Sequence, residues 1–138
     1  MGLDELLSDE RLKAHTPNAA ESSRLLAAAQ RNLADAQITG LSDESRFDLA
    51  YKAIMQCAML ALLRRGYRPA TSVPGHHRTM IESLPMTLGL TEDLVLVLDA
   101  LRRKRNLTDY SGDLIDPESL RECLLRARQL VAALEARV

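Results

Sequence analysis

Apolar residues recur every three or four positions along most of this 138-residue chain, and strict apolar–polar alternation is almost absent. A repeat near 3.6 residues is typical of amphipathic α-helices, whereas a repeat of two is typical of half-buried strands. The pattern therefore predicts an all-α fold. Long amphipathic helices joined by short loops favour an up-and-down four-helix bundle, here with an additional short N-terminal helix. The length favours a single domain over residues 1–138, with residues 1–17 as a peripheral arm.

Local start and stop signals divide this pattern into helices. The predicted helices cover approximately residues 3–13, 18–37, 42–66, 76–88, 91–106 and 116 onward. Asn18 followed by Glu21 resembles a capping box, and Asp116 before Pro117 is a cap followed by a proline that the first helical turn accepts. Residues 67–75 contain two prolines and a glycine, so this segment is predicted to be a loop.

Composition and charge narrow the classes of function. The formal net charge is −1, so a generally basic coat for nucleic acid is excluded and any anion site must be local. No apolar run approaches a membrane span and the N-terminus does not resemble a signal peptide, which predicts a cytoplasmic protein that does not bind a membrane. Cys57 and Cys123 lie in apolar helical patterns and are expected to be buried free thiols.

Residues 102–110 read RRKRNLTDY and are the most informative segment of the chain. Four cations followed by an amide, a carboxylate and a phenol suit a phosphate better than a core. Cations in a last helical turn also stabilise the helix by about 0.3–1 kcal/mol each through their interaction with its dipole. Arg102 and Lys104 are therefore equally consistent with a solvated helix end that binds no ligand. Arg105 continues the inward stripe of Leu98 and Leu101, so it must be paired or ligated. Asp109, four residues on, is its internal partner if no ligand binds.

Topology is expected to bring a second group of cations to the same place. In an up-and-down bundle the helices at 42–66 and 91–106 run parallel, because a shorter helix runs back between them. Their C-terminal ends then gather the 102–105 cluster with Arg64, Arg65 and Arg68. The shorter helix begins at that same end with His76, His77 and Arg78. These groups predict an anion site; no third ligand accompanies the two histidines, so no metal is expected, and no cofactor motif is present.

The chain resembles the HEPN-domain family of bacterial and archaeal helical bundles, and in particular its small stand-alone branch. The likeness covers residues 20–136 and rests on residues 46–53, 65–68, 75–79 and 102–110. It implies a homodimer with a cleft lined by an Arg-Asn pair and by a histidine a few residues later. In catalytic members that arginine and histidine support metal-independent RNA cleavage. Other members bind nucleotides or pair with a nucleotidyltransferase, often as toxin–antitoxin or defence components.

The motif is matched only in part. Arg105 and Asn106 match its opening, whereas Tyr110 stands where the histidine would be. A phenol with a pKa near 10 is a poor general base at neutral pH. The sequence therefore favours binding of RNA or a nucleotide phosphate, with Arg105 holding the phosphate, Asn106 orienting it and Tyr110 stacking or hydrogen-bonding. The surrounding positive field is expected to include Arg102, Arg68 and Arg78.

Two other functions stay open from the sequence. The first is an endoribonuclease toxin that uses Arg105 with His77, His76 or Tyr110. The second is a non-catalytic interaction module for a partner chain, such as a nucleotidyltransferase or an antitoxin. Its docking surface would be residues 57–63, which are apolar without a break and make this helix either central in the bundle or shared with a second subunit.

Overall fold

The computed structural model describes residues 2–137, and most of them are helical. The elements in chain order are α1 (Leu3–Ser8), β1 (Leu12–Ala14), α2 (Ala19–Ala36), α3 (Asp43–Arg64), β2 (Tyr67–Pro69), α4 (His76–Glu82), α5 (Leu84–Leu88), α6 (Glu92–Ser111) and α7 (Pro117–Glu135). The prediction of a helical protein with little strand is confirmed. None of the described helices combines the length and the apolar character that crossing a membrane requires.

The starts of the four long helices are set by side chains that accept backbone N–H groups of the first turn. Asn18, Ser42, Thr91 and Asp116 each accept the N–H of the residue three positions on. Each such cap satisfies a donor that the helix itself leaves free, and contributes about 1 kcal/mol. These starts agree with the sequence prediction to within a residue.

Helix α6 is longer than predicted. It continues past Asn106 to Ser111 and ends where Gly112 adopts a left-handed conformation with φ 72°. Glycine takes this conformation at little cost because it lacks a Cβ atom. Asp109 and Tyr110 therefore lie on the helix surface and not in a loop. The shorter helix predicted over 76–88 is divided at Ser83 into α4 and α5.

A short antiparallel pair of strands, formed by segments far apart in the chain, replaces two of the predicted features. Strand β1 pairs antiparallel with β2, with Leu12 opposite Pro69 and Ala14 opposite Tyr67. The predictions of a helix over residues 3–13 and of a loop over 67–75 are thus wrong in part. A strand of three residues is too short to show a two-residue repeat. Leu6 and Leu12 are 0% and 1% exposed, so the N-terminal residues, expected to be peripheral, contribute to the core.

Helix α3 lies at the centre of the fold, packed against α2 on one side and α7 on another. Phe47, Ile54 and Leu60 are almost completely buried along it, and nearly all of residues 57–63 is covered by the rest of the chain. This stretch is therefore central and is not the docking surface that the interaction-module alternative requires. Cys57 and Cys123 are buried free thiols as predicted, and burial raises the pKa of each thiol to about 12.

Helices α3 and α6 run antiparallel, so the predicted parallel packing is wrong. Near the C-terminus of α6, the Ile115 N–H donates to Glu44 in the first turn of α3, at 3.0 Å. Arg105 lies over the ring of Tyr51, in the N-terminal half of α3. The basic C-terminal segments of the two helices therefore lie at different ends of α3.

The direction of α6 follows from how the chain returns after α3. Strand β2 is extended, covering about 3.3 Å per residue against 1.5 Å in a helix, and residues 71–75 then form turns that lead into α4. His77, in the first turn of α4, consequently lies beside Tyr51, and the Arg65 side chain meets Met86 of α5. Because α4 and α5 thus run in the same direction as α3, the next helix returns antiparallel to it.

Candidate functional site

The arginines at the C-terminal end of α3 make structural contacts. Arg64 donates to the Leu134 carbonyl at 3.2 Å, and Arg65 donates to the Met86 carbonyl at 3.0 Å. Arg68 is exposed on β2, where it pairs in register with Lys13. The prediction that these cations, Arg68 included, join the 102–105 cluster is wrong, because α6 runs antiparallel to α3.

Arg78 also lies away from the predicted site. It donates to Glu82 at 2.7 Å, and both side chains line a separate depression with Glu92 and Asp99. Three carboxylates in this depression leave no local excess of positive charge. Arg78 is therefore not part of a phosphate site with Arg105, in contrast to the sequence prediction.

The four cations of the α6 cluster differ in what they contact. Arg102 and Arg103 bind Asp99 at 2.8 Å and 3.4 Å, and Lys104 binds Asp116 at 3.1 Å. Arg105 has a longer ion pair with Asp109, at 3.8 Å. An ion pair of this length between partly exposed side chains contributes little to stability. Of these four described cations, Arg105 is the one that lines a pocket.

That pocket has a volume of about 500 Å³ and lies between α2, α3, α4 and α6. Volumes of this order are usual for small-molecule sites. The apolar side chains that line it are Leu25, Leu49, Met55, Met59 and Met80. The polar side chains are Asp48, Tyr51, Lys52, Gln56, Thr71, His76, His77 and Arg105. The pocket thus combines an apolar lining rich in thioethers with a concentration of cationic and hydrogen-bonding groups.

Three side chains from three helices meet at the polar side of the pocket, and we call them the Tyr51 cluster: Tyr51, His77 and Arg105. The Tyr51 hydroxyl lies 3.3 Å from His77 Nδ1. The Arg105 Cζ lies 5.1 Å from the centroid of the Tyr51 ring, a cation–π contact. Burial raises the pKa of Tyr51 to about 12, so its phenol stays protonated at neutral pH.

The surroundings of His77 lower its pKa and so favour the uncharged ring near neutral pH. Burial is the main cause that lowers the pKa of His77, followed by the nearby His76, Arg105 and Arg102. The His76 ring meets the His77 ring edge-on, with centroids 4.8 Å apart. Burial and then the nearby charge of Asp109 raise the pKa of Asp48, although Arg105 opposes this effect.

The other residues of the 102–110 segment do not line the pocket. Tyr110 is 92% exposed, Asn106 is also exposed, and Asp109 contacts Arg105 from outside the pocket. Each helical residue advances about 100° around the axis, so Tyr110 points roughly 140° away from Arg105. The predicted contacts of Asn106 and Tyr110 to a ligand held by Arg105 are therefore absent from this pocket.

Sequence reasoning missed four polar residues of α3 that line the pocket: Asp48, Tyr51, Lys52 and Gln56. Tyr51 is buried among the apolar residues of α3, but its hydroxyl faces His77. The available signal was spacing, because residues three and four apart lie on one face of a helix. Two charged residues flanking a tyrosine on an otherwise apolar helix indicate a polar patch.

The described residues suggest no metal centre. Within residues 2–137, no three side chains from histidine, cysteine, aspartate and glutamate are grouped so that they could hold a metal ion. The pocket must therefore be considered through its own hydrogen-bonding groups and charges.

Comparison with known proteins gives no relative from which function could be transferred. No family model matches the chain, and neither a curated protein nor a solved structure matches it. Function must be inferred from the chemistry of the pocket itself.

Proposed function

We propose that the pocket binds RNA or a nucleotide through a phosphate group, without strong catalysis of its own. The observation that carries this proposal is the convergence of Lys52, His77 and Arg105, from α3, α4 and α6, on one concave space. Guanidinium and ammonium groups both bind phosphate oxygens, and a neutral imidazole adds an N–H donor. The net charge of the chain is −1, so this convergence is a local feature.

The apolar lining of the pocket favours a nucleotide over free phosphate as the ligand. Met55, Met59 and Met80 lie on the same pocket as Arg105. Thioether sulfurs contact aromatic rings favourably, by about 0.3–1.5 kcal/mol each. A nucleotide whose base contacts the methionines and whose phosphate binds Arg105 would contact both the apolar and the cationic side chains of the pocket.

We further propose a homodimer of the HEPN type, as the family resemblance implies. The alternating directions of α2, α3, α6 and α7 support a four-helix bundle of this kind. Leu107, Tyr110 and Leu114 are 57–92% exposed at the end of α6 and just after it, which supports a contact between copies there. Light scattering on wild type and Tyr110→Glu tests this, and a wild-type monomer at micromolar concentration contradicts it. Membership of a toxin–antitoxin or defence module remains part of the same proposal.

The binding experiment is a titration of fluorescent AMP and of a short single-stranded RNA at low salt. We expect Arg105→Ala to weaken binding at least about tenfold, since a hydrogen bond to a charged group contributes about 1.5–3 kcal/mol. Arg103→Ala is the matched control, because Arg103 belongs to the same turn, binds Asp99 and lies outside the pocket. Equal losses in both variants, or no binding by the wild type, would count against the proposal.

Metal-independent RNA cleavage is the second candidate, and one observation favours it. His77 and Arg105 both contact Tyr51, so an imidazole and a guanidinium share the pocket even though Tyr110 does not. Incubation of RNA with wild type and His77→Gln in excess chelator tests this candidate. Product formed by the wild type alone supports cleavage, and intact RNA at high enzyme concentration leaves binding as the function.

A further inference from the structure

We propose that Tyr51 is a positioning residue that holds His77 as a neutral imidazole with its proton on Nε2. His77 then presents an N–H donor to an oxyanion in the pocket and does not act there as a general base. The role toward a ligand rests on the proposed function. The tautomer itself is a property of the protein without ligand.

The hydrogen bond at Tyr51 determines the direction of donation. Tyr51 is only 2% exposed, and His77 Nδ1 is the partner of its hydroxyl among residues 2–137, at 3.3 Å. If the hydroxyl only accepted, its own proton would be buried without a partner, at a cost of about 1–3 kcal/mol. The hydroxyl therefore donates. A nitrogen that accepts carries no proton, so the neutral ring has its proton on Nε2.

The groups around His77 oppose a second proton on the ring. Arg102 and Arg105 approach from α6, and His76 adjoins it on α4. From α3, Lys52 adds a further cation to the pocket, whereas the carboxyl group of Asp48 acts in the opposite direction and is outnumbered by these cations. Protonation would also place a hydrogen on Nδ1 directly opposite the Tyr51 O–H. Geometry and charge therefore both favour the neutral ring.

With this tautomer, the residues of the pocket have different roles in phosphate binding. Arg105 and Lys52 supply the positive charge, and His77 supplies a directional donor. A general base for a ribose 2′-hydroxyl needs an unprotonated nitrogen that faces the ligand. Here the unprotonated nitrogen faces Tyr51, so the assignment favours binding over cleavage.

Imidazole NMR on protein labelled with ¹⁵N-histidine tests the tautomer. Correlations between ring nitrogens and ring hydrogens distinguish the Nε2–H tautomer, the Nδ1–H tautomer and the doubly protonated ring. The His77 signals are assigned by their loss in His77→Gln. For the wild type at pH 7 we expect a single Nε2–H tautomer, with a titration midpoint below the ordinary value of about 6.5. An Nδ1–H tautomer, or a charged ring at pH 7, would overturn the proposal.

The variant Tyr51→Phe tests whether the hydroxyl is the cause. It should lose the single-tautomer pattern, give a mixture of both neutral forms, and raise the titration midpoint of His77. An unchanged His77 spectrum in folded Tyr51→Phe would remove Tyr51 from the assignment. Circular dichroism and the His15 signals report whether the variant is folded. If it is not folded, the wild-type spectrum alone still decides the tautomer.

Addition of AMP separates this inference from the proposed function. We expect the ligand to shift the Nε2 signal of His77 more than the Nδ1 signal. If AMP and RNA do not bind while the Nε2–H tautomer is observed, the proposed function fails and the assignment of the tautomer stands. If AMP binds and shifts mainly Nδ1, binding stands and the donor role of His77 fails.

Discussion

The C-terminal segments of α3 and α6 are both rich in arginine, yet they lie in different surroundings. Arg64 and Arg65 end α3 and donate to backbone carbonyls of Leu134 and Met86. Arg105, near the end of α6, lies over the Tyr51 ring and beside a pocket. The first pair of guanidinium groups connects elements of the fold, whereas Arg105 keeps a long ion pair and access to a concave space.

The difference shows that a basic helix end does not by itself indicate a site. Backbone carbonyls at helix C-termini need donors, and an arginine that supplies them is already satisfied. Within the α6 cluster the same distinction recurs, since three of the four cations form ion pairs with Asp99 and Asp116. A side chain with weak internal partners that borders a pocket is a better guide than the number of charges.

The largest effect is expected at the β1–β2 strand pair, which lies on the path by which the chain returns after α3. Leu12 is 1% exposed on β1, and its strand binds the returning chain at β2. We expect Leu12→Ala to lower the free energy of unfolding by about 2–5 kcal/mol, because it leaves a cavity in the core. Urea unfolding followed by circular dichroism measures this. Lys13→Ala, on the exposed face of the same strand, should change it by less than about 0.5 kcal/mol; equal effects would contradict the role of the β1–β2 strand pair.

A smaller effect is expected at Asp116, which forms an ion pair with Lys104 of the α6 cluster. Hydrogen bonds from the Ser119 side chain and backbone, and then from Lys104, lower the pKa of Asp116. Asp116→Ala removes the cap of α7 and should lower the free energy of unfolding by about 1 kcal/mol at neutral pH. The affinity for the nucleotide should stay within about twofold of the wild-type value, because Lys104, which loses its partner, does not line the pocket. A large gain in affinity would show that Lys104 belongs to the site.

A comparable or slightly smaller effect is expected at Arg64, the counterpart of Arg105. Arg64→Ala removes one hydrogen bond to the Leu134 carbonyl, so we expect a loss of about 0.5–1.5 kcal/mol in the free energy of unfolding. Nucleotide affinity should not change. Thermal unfolding and the AMP titration, run on the same sample, measure both quantities. Weakened binding with unchanged stability would reverse the comparison between the two helix ends.

The smallest effect is expected in the dependence of stability on pH. The pKa of His77 is lower in the folded protein than in the unfolded chain, so the unfolded chain binds more protons between the two values. The contribution of His77 to the free energy of unfolding is therefore fully present above the ordinary pKa of about 6.5, and it is lost as the pH drops toward the lower pKa of the folded protein. In urea unfolding at pH 7, 6 and 5, His77→Gln should show a shallower decline than the wild type. Parallel declines would contradict the lowered pKa.

Much of the local structure could be predicted from the sequence because its causes are local. The caps at Asn18, Ser42 and Asp116 involve residues only three positions away. The inward direction of Arg105 and its pair with Asp109 follow from helical spacing. The prediction of α6 ended too early, since Asn106 and Thr108 are weaker helix formers and Gly112 lies only a few residues on.

Contacts within about four residues set where the long helices begin and that Arg105 points inward, so both can be predicted from the sequence. The groups that meet Arg105 come from distant segments and depend on how the helices pack. The direction of α6 follows from the return of the chain through β2, whose three residues pair with three of β1; the two strands are far apart in the chain and too short to show a strand pattern. After this return His77 lies beside Tyr51, and Arg64 and Arg65 donate to backbone carbonyls of distant segments.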